Sequence, residues 1–439
     1  MPAAKSTSFF VRQASRSDVG MRRVNNQDSV SITPSTGERA GAAGAFLMVA
    51  DGMGAHAAGE LASRMATDCV PQAFLKSRLS TPAGLRHAVR EANRKIHEKG
   101  SSAAEFRGMG TTCSCLALSE DSAMVAHVGD SRVYRLRDGV IEQLTFDHSL
   151  VWEMAAASNV SEDRVPSCIP KNVITRSLGP HETVNVDLEG PHELRHGDAF
   201  LLCSDGLTGV VEDALSGSLI QELEPDEAAQ TLVDVANLRG GPDNVSVVVT
   251  KVEQHGAKPR PPAAASIGYA PLAALVAAIA FLAFAWALAT NQQEALIGAA
   301  LICASAAAVA VSKAGARHEP AERRTTGGPY GNGPYRRVDC YTPAESAGVM
   351  RELVEQLAAV CRAGDGPPTP GESQIVGVAP SFDWSPIAPL QDAAASALDS
   401  SDGHGALRRY ADLLRELMQR LREDDGTHRY RAAPAEATD

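Results

Sequence analysis

The sequence predicts an α+β fold: a layered domain of antiparallel strands over residues 1–254, then a transmembrane helical hairpin and a small helical tail. Up to Val252, short apolar or alternating runs follow one another with hairpin-like spacing, whereas helical stretches come in separate blocks. That order favours an antiparallel, layered fold over a Rossmann sheet. Two uncharged apolar runs then follow, and at 439 residues the chain exceeds one typical domain.

The elements of the first domain are predicted in chain order from periodicity and turn residues. Strands are expected at Ser8–Gln13, Ala45–Ala50, Thr111–Ala117, Ala123–His127, Val133–Arg137, Ala199–Cys203 and Val245–Val252. Helices are expected at Ala57–Phe74, Pro82–Lys99 and Pro225–Asn237.

Composition excludes several classes of protein. A formal charge of −12 argues against a nucleic-acid partner, which requires a basic face. The eight cysteines include no CxxC pair, and Cys113 and Cys115 alternate along a predicted strand, as small apolar residues of a reduced, intracellular protein do. The N-terminal letters MPAAKSTSFFVRQ lack the long apolar core of a secretory signal.

Two transmembrane helices are predicted within residues 267–312, after a Pro-rich linker at 255–266. Tyr269–Ala289 is apolar throughout and long enough to cross a hydrocarbon core of roughly 30 Å. Ala295–Ser312 is shorter and Ala-rich, so a buried or re-entrant helix is the alternative for it. Lys and Arg flank the pair on both sides but are missing from the connecting loop, which predicts a cell-membrane protein with the N-terminal domain and the C-terminal tail both cytoplasmic.

The C-terminal region divides into a Gly/Pro/Arg-rich linker at 313–341, expected to be flexible, and a partly disordered helical region at 342–439. Thr342 and Glu345 form a capping box, which predicts a helix that buries Val349, Leu353, Leu357 and Val360. A second apolar stripe contains Leu407, Tyr410, Leu414, Leu417 and Leu421. With two heptads only, packing of these helices on each other is favoured over a coiled coil.

Aspartates recur at the ends of predicted strands in the first domain. ADGMG follows an apolar strand with Asp51, SDGL does the same with Asp205, and Asp243 precedes a strand in GGPDNVSVVV. Asp28 in NNQDSV and Asp130 in HVGDSR occupy similar positions. Each is an ordinary turn residue by itself, but together they suggest carboxylates gathered at one edge of a sheet.

Such carboxylates must be neutralised, because like charges raise one another's pKa or attract cations. Oxygen ligands favour Mg²⁺ or Mn²⁺ over zinc, and the sequence has no Cys/His cluster or HExxH motif. A carboxylate that bridges two such ions can hold a hydroxide for in-line attack on phosphorus. Arg23, five residues before Asp28, is the candidate for binding the phosphate oxygens, since a guanidinium can bind two of them at once.

The motifs in order are GMRRVNNQD, VADGMGAHAAGE, GMGTT, HVGDSRVYRLRDG, QLTFDHS, VITRSLG, CSDGL and GGPDNVSVVV. This series, over roughly Ser15–Val252, closely resembles bacterial members of the metal-dependent protein phosphatase family, the type 2C serine/threonine phosphatases. The resemblance implies a four-layer α-β-β-α sandwich of two antiparallel sheets flanked by helices.

The resemblance also implies a set of site residues. Asp51 would bridge two Mn²⁺ or Mg²⁺ ions, with the Gly52 carbonyl on one of them and Asp205 and Asp243 on the other. Asp28 would hold metal-bound waters. Asp130 matches a position that helps to bind a third ion, Arg23 matches the phosphate-binding arginine, and His148–Thr175 lies where the family has a mobile flap that influences substrate choice.

Three departures from the family pattern affect this interpretation. Gln27 replaces a frequent Glu, which predicts weaker metal affinity, since an amide can still accept from metal-bound water. Ala55 replaces a common Gly. Met53 follows Asp-Gly where eukaryotic members have a His, so the general acid is either His56 or a metal-bound water.

The resulting interpretation is a membrane-anchored enzyme that hydrolyses phosphoserine or phosphothreonine on protein substrates, with a bacterial-type Ser/Thr kinase as its counterpart and membrane lipid as a further contact. The alternatives are a catalytically silent binding or sensor module and a partner-switching phosphatase dedicated to one regulator. A complete metal set, with Asp51, Asp205 and Asp243 retained alongside Arg23, argues against a silent domain.

Overall fold

The computed structural model describes residues 9–34, 44–54, 57–158, 160, 162–166, 168–170, 173–254, 329–362 and 386–424. One compact unit combines Met1–His255 with Thr326–Asp439. A second unit, Gly256–Thr325, lies outside the described residues, as do the predicted Pro-rich linker and the two predicted spans.

Sheet I contains five antiparallel strands, in the spatial order β2-β3-β5-β6-β9. Their bounds are β2 Asp28–Pro34, β3 Ala45–Met53, β5 Cys113–Leu118, β6 Ser122–Val128 and β9 Asp187–Glu193. A short strand, β4 Gly110–Thr111, pairs with the end of β3. The sequence predicted β3, β5 and β6, whereas β9 was not expected.

Sheet II contains six antiparallel strands, in the order β1-β11-β10-β7-β8-β12. Their bounds are β1 Phe9–Asp18, β11 Val245–Gln254, β10 Ala199–Cys203, β7 Arg132–Arg137, β8 Val140–Gln143 and β12 Arg336–Asp339. The last of these comes from the linker that was predicted to be flexible, and it pairs with β8 at the edge of the sheet.

The two sheets pack face to face because their strands alternate between two apolar faces. In β3, Leu47 and Val49 join Phe200 and Val248 of sheet II in one core cluster. Their neighbours Phe46 and Met48 point to the other face of the strand, where they form a second core cluster with helices α1 Ala58–Lys76 and α2 Thr81–Ser102.

Helices also cover the outer face of sheet II. They are α5 Asp213–Glu222 and α6 Pro225–Leu238, while the short helices α3 Leu150–Ser158 and α4 Asp205–Thr208 lie in connections. The layers therefore run helix, sheet, sheet, helix, and the predicted two-sheet α+β domain is confirmed.

The membrane part of the predicted fold class and the predicted membrane localisation require a correction. Within the residues that the structure describes, no helix is both long enough and apolar enough to cross a membrane. The two longest are α2 and the C-terminal helix Gly403–Asp424, and both carry charged residues along their length. The predicted transmembrane hairpin at 267–312, with its lipid contact and orientation, is not retained.

Three C-terminal helices follow β12: α7 Pro343–Arg362, α8 Ala388–Asp399 and α9 Gly403–Asp424. The predicted capping box is confirmed, since the Thr342 N–H donates to Glu345 (2.8 Å) and the Glu345 N–H donates to the Thr342 hydroxyl (3.3 Å). Leu353 and Leu357 are buried and Val349 is half-buried. The side chain of Val360 is not among those that the structure describes. The stripe from Leu407 to Leu421 is buried as predicted.

These helices pack on one another and also on α5 and α6, in the same core cluster as sheet II. We call residues 329–362 and 386–424 the C-terminal belt. Residues far apart in sequence thus complete one layer of the sandwich.

Candidate metal centre

The topology brings the predicted aspartates to one edge of the sandwich. In sheet I, Asp28 at the start of β2 pairs across the ladder with Asp51 near the end of β3. In sheet II, Asp205 follows β10 and Asp243 precedes β11, its antiparallel neighbour. Asp130 lies in the connection from β6 of sheet I to β7 of sheet II. Because antiparallel strands start and end side by side, all five residues converge.

Hydrogen bonds hold the backbone of Asp51 firmly. Its N–H donates to the Thr112 hydroxyl (2.8 Å), and its carbonyl accepts from the Thr112 N–H (2.8 Å) and the Thr111 hydroxyl (2.9 Å). The next residue, Gly52, is buried, and a Cβ there would lie 2.1 Å from the Gly59 carbonyl oxygen. A side chain at that position would therefore push the strand away from α1.

The sheet II side is equally close-packed. A Cβ on Gly206 would lie 2.0 Å from the Asn244 carbonyl oxygen, so the turn after Asp205 and the start of β11 are in direct contact. The Ser204 hydroxyl donates to Asp28 (2.7 Å) and accepts from the Ser246 N–H (3.0 Å). This serine joins the two sheets at the site.

The carboxyls of the site perturb one another. Burial, followed by the charges of Asp205 and Asp243, raises the pKa of Asp28 to about 7. Burial and then Asp205 raise the pKa of Asp130 to about 8. The pKa of Asp51 is raised well above its ordinary value by burial and then by Asp28, and that of Asp205 is raised by burial and then by Asp243. These shifts show that the negative charges are close together and poorly solvated.

The donor set fits divalent cations by its chemistry. One carboxylate oxygen each of Asp28, Asp130 and Asp205 is buried and accepts no hydrogen bond from any part of the protein that the structure describes. Buried anionic oxygens without partners are costly unless a cation compensates them. The same described residues hold no ready-made group of three or more His, Cys, Asp or Glu ligands, and Asp243 is bonded to Arg23.

Arg23 lies at the rim of the site, with about half of its side chain exposed (52%) and Nη2 donating to Asp243 (2.7 Å). Asn244 fixes the loop that carries it, donating to the Val19 and Asn25 carbonyls (2.9 and 3.0 Å) and accepting from the Gln27 N–H (2.8 Å). The loop is therefore attached directly to the start of β11.

The departures from the family pattern have different outcomes. The Gln27 amide donates to the Gly54 carbonyl (3.4 Å), so it contacts the turn after β3. Met53 is the last residue of β3. Ala55 and His56 lie outside the described residues.

Sequence reasoning missed the hydroxyl groups that hold the site together. Thr112 and Ser204 bond the backbone of Asp51 and the carboxylate of Asp28, respectively. Their positions in GMGTT and CSDGL, beside the site residues, were the available signal.

The stretch predicted as a flap, His148–Thr175, begins beside Asp130. The His148 N–H donates to the Gly129 carbonyl (2.8 Å), and the Gly129 N–H donates to His148 Nδ1 (2.9 Å). Arg132 bonds Asp147 (2.8 Å) and lies over the Trp152 ring of α3, with its guanidinium carbon 5.3 Å from the ring centroid. Helix α3 is thus packed against the loop that carries Asp130.

Comparison with known proteins gives consistent results. The family model described as protein phosphatase 2C matches residues 21–237. Protein phosphatase PhpP of Streptococcus pneumoniae is 37% identical over 250 residues, 55% of this chain and 97% of that protein. The serine/threonine phosphatase structure from S. agalactiae is 35% identical with a TM-score of 0.51, covering 56% of this chain and 100% of that one. The catalytic domain of PstP, solved in complex with two manganese ions, is 35% identical with a TM-score of 0.48, covering 56% and 100%.

The two-sheet sandwich and its rim of converging carboxylates define a metal-dependent phosphatase domain. The chain belongs to the protein phosphatase 2C family. It is a metal-dependent protein serine/threonine phosphatase that acts on phosphoproteins.

Proposed function

We propose that the chain hydrolyses phosphoserine and phosphothreonine monoesters in proteins with the help of two Mn²⁺ or Mg²⁺ ions held by Asp51, the Gly52 carbonyl, Asp205 and Asp243. The observation that carries this proposal is the convergence of carboxyls with raised pKa values. Three of them have a buried oxygen that finds no partner in the described residues. When bound, divalent cations supply the Lewis acidity that activates water and neutralises phosphate charge.

The other site residues have supporting roles in this proposal. Asp28 is buried between Ser204 and the facing strand, where it can accept hydrogen bonds from water at the centre. Asp130, at the junction of the two sheets, is the residue that we assign to a third ion. In this proposal both carboxylates orient water or metal ligands at the centre, and their own hydrogen bonds support that role.

We assign phosphate binding to Arg23. Its guanidinium is half exposed at the rim, and its Nη2 donates to Asp243. A planar guanidinium can bind two phosphate oxygens at once, so Arg23 can orient the phosphoryl group over the acidic residues.

A Ser/Thr kinase is the proposed counterpart, because the phosphoprotein substrates must be made by phosphoryl transfer to serine or threonine. This partner would share substrates with the phosphatase and need not contact it.

The experiment follows phosphate release by the full chain from a phosphothreonine peptide, with Mn²⁺ added or chelated. We expect Asp51→Asn and Asp205→Asn to lose at least about a hundredfold in metal-dependent kcat, the order of loss seen when a preorganised electrostatic group is removed. Asp121→Asn, at an exposed turn position, is the matched control and should retain activity. Mn²⁺-dependent release that survives in both site variants would refute the assignment of these two aspartates.

A further inference from the structure

The N-terminal residues of the C-terminal belt bind a buried carboxylate of the phosphatase domain. Glu189 of β9 is 2% exposed, and it accepts from the Asn332 N–H (3.4 Å), the Gly333 N–H (3.1 Å) and the Tyr335 hydroxyl. Tyr330 adds a backbone pair with Gly190, at 3.1 and 3.2 Å. The belt residues 330–335 are therefore fixed on sheet I by three bonds to the Glu189 side chain and by a backbone pair with Gly190.

Tyr335 is also connected to the segment that leads into α3. Its ring meets Phe146 edge to face, with centroids 5.5 Å apart and an interplanar angle of 68°. Phe146 in turn meets Trp152 of α3 at 5.5 Å and 89°. The Tyr335 N–H donates to the Gln143 carbonyl (2.8 Å), and the Gln143 amide donates to Asp147 (2.9 Å).

Helix α3 lies beside the metal centre, and the bonds that hold the centre are separate from the aromatic contact with Tyr335. Ser131, next to Asp130, is held by the Thr112 hydroxyl (2.7 Å) and by Ser114, which donates to its carbonyl (2.8 Å). Those bonds involve no residue of the belt. Phe146 and Trp152 are half-buried, and the Tyr335 ring packs on Phe146.

The α3 segment presents apolar side chains to solvent close to the site. Met154 and Val173 are 36% and 40% exposed, and the Leu150 N–H donates to the Val173 carbonyl, which joins the two ends of the segment. These two side chains are therefore accessible to a polypeptide substrate whose phosphorylated residue is bound at the centre.

We propose that Tyr335 of the C-terminal belt is a positioning residue for substrate: through Phe146 it holds Trp152 and helix α3 where the polypeptide around the phosphorylated residue binds. This inference rests on the proposed phosphatase function and adds a determinant from outside residues 15–252, which carry the motifs of the site. Tyr335 thereby acts on helix α3 and not on the metal centre.

The test compares full-length Tyr335→Ala and Tyr335→Phe on two substrates, a phosphothreonine peptide and p-nitrophenyl phosphate, at saturating Mn²⁺. For Tyr335→Ala we expect the peptide KM to rise about 2- to 12-fold, the factor equivalent to an edge-to-face aromatic pair of about 0.5–1.5 kcal/mol. Values of kcat and KM for p-nitrophenyl phosphate should stay at the wild-type level, because that compound is too small to reach α3. Tyr335→Phe keeps the ring and should retain the wild-type peptide KM.

His404→Ala is the matched control for general loosening of the belt. His404 contacts Glu222 of α5 at 2.8 Å, a belt contact with no link to α3. We expect this variant to leave the peptide KM unchanged. An equal rise in His404→Ala, an equal loss on both substrates in Tyr335→Ala, or no change in Tyr335→Ala would each overturn the inference.

A structural readout accompanies the kinetics. The chain has three tryptophans, so Trp286→Phe with Trp384→Phe leaves the fluorescence of Trp152 alone. In that background Tyr335→Ala should increase acrylamide quenching of Trp152, whereas His404→Ala should not; unchanged quenching in Tyr335→Ala would count against the inference. If the wild-type chain releases no phosphate from either substrate, the proposed function fails instead, and the fluorescence result still decides whether Tyr335 positions α3.

Discussion

Replacing Arg422 by Met should destabilise the folded chain, because it removes the ion-pair partner of a buried carboxylate. Asp234 of α6 is fully buried, and Arg422 of α9 bonds its Oδ1. The same oxygen accepts from Gln230 (3.0 Å), while Oδ2 has no partner among the described residues. Without the guanidinium, the buried carboxylate would keep only one neutral hydrogen-bond donor.

The size of the stability loss follows from the burial of Asp234 and the exposure of Arg422. Breaking a buried ion pair by removing one partner costs about 3–5 kcal/mol. The Arg422 side chain is 40% exposed, so solvent screens part of the interaction, and we expect about 1–3 kcal/mol at pH 7.5.

The cost should depend on pH with a defined sign. Burial, opposed by Arg422, raises the pKa of Asp234 from 3.8 to about 6. A carboxyl whose folded pKa lies above its unfolded pKa contributes stability at low pH that is lost as pH rises through the folded value. Removing Arg422 raises that pKa further, so the penalty should be large at pH 7.5 and should shrink near pH 5, where the group is protonated.

Urea unfolding of the full chain at both pH values measures this effect. Arg422→Met in an Asp234→Asn background should cost much less than in the wild type, because no buried charge is left unpaired. Arg420→Met is the matched control on the same helix. Among the described residues Arg420 forms its ion pair with Glu416 one turn away, so this variant should cost at most about 0.5 kcal/mol. The reasoning is refuted if the Arg422 variant is no less stable than this control at pH 7.5, or if its cost persists without the Asp234 charge.

Three further results are expected. Burial lowers the pKa of His192 from 6.5 to about 4. As pH falls, His192 is therefore protonated in the unfolded chain before it is protonated in the folded one, and the free energy of unfolding should fall by about 2 kcal/mol from pH 7 to pH 5. His192→Gln should flatten that part of the stability profile. Gly331→Ala should lower the unfolding midpoint more than Gly197→Ala. Both glycines have positive φ (+78° and +88°), but only a Cβ on Gly331 meets an obstacle, the Glu189 carboxylate at 1.7 Å. Equal shifts of the midpoint would contradict this prediction. Ser204→Ala should weaken Mn²⁺ binding in calorimetry and cost about 1–3 kcal/mol of stability, since it removes a bond to a buried carboxylate.

The sequence predicted the elements whose apolar pattern matches their surroundings. β10 was predicted with its observed bounds, Ala199–Cys203, because a continuous apolar run is buried on both faces. β9, with the letters DLEGPHE, has no such pattern, since Glu189 is buried by bonds to the belt and not by apolar character. Helix α5 was missed for a similar reason: it includes Gly217, where a Cβ would lie 2.4 Å from the Cys340 sulfur of the belt.

In the site, too, the residues marked by a local sequence pattern were predictable, and those that depend on contacts between distant segments were not. Asp51 and Asp205 were identifiable because short motifs and strand ends mark them locally. The contact of Tyr335 with Phe146 joins residues nearly two hundred positions apart, and neither lies in a periodic pattern that reveals the other. Polar and aromatic contacts between distant segments depend on topology, which periodicity does not encode.

The C-terminal belt makes the catalytic domain discontinuous along the chain. The belt shares one core with strands and helices of the N-terminal part, and it supplies bonding partners to α5, α6, β8 and β9. For protein engineering, the natural boundary of the enzyme therefore does not fall at the end of β11, and an expression product that stops there leaves one face of the sandwich bare. Nicking the chain between the two parts would leave them joined by non-covalent contacts alone, so fragment complementation is the natural format for studying how the belt and the phosphatase domain assemble.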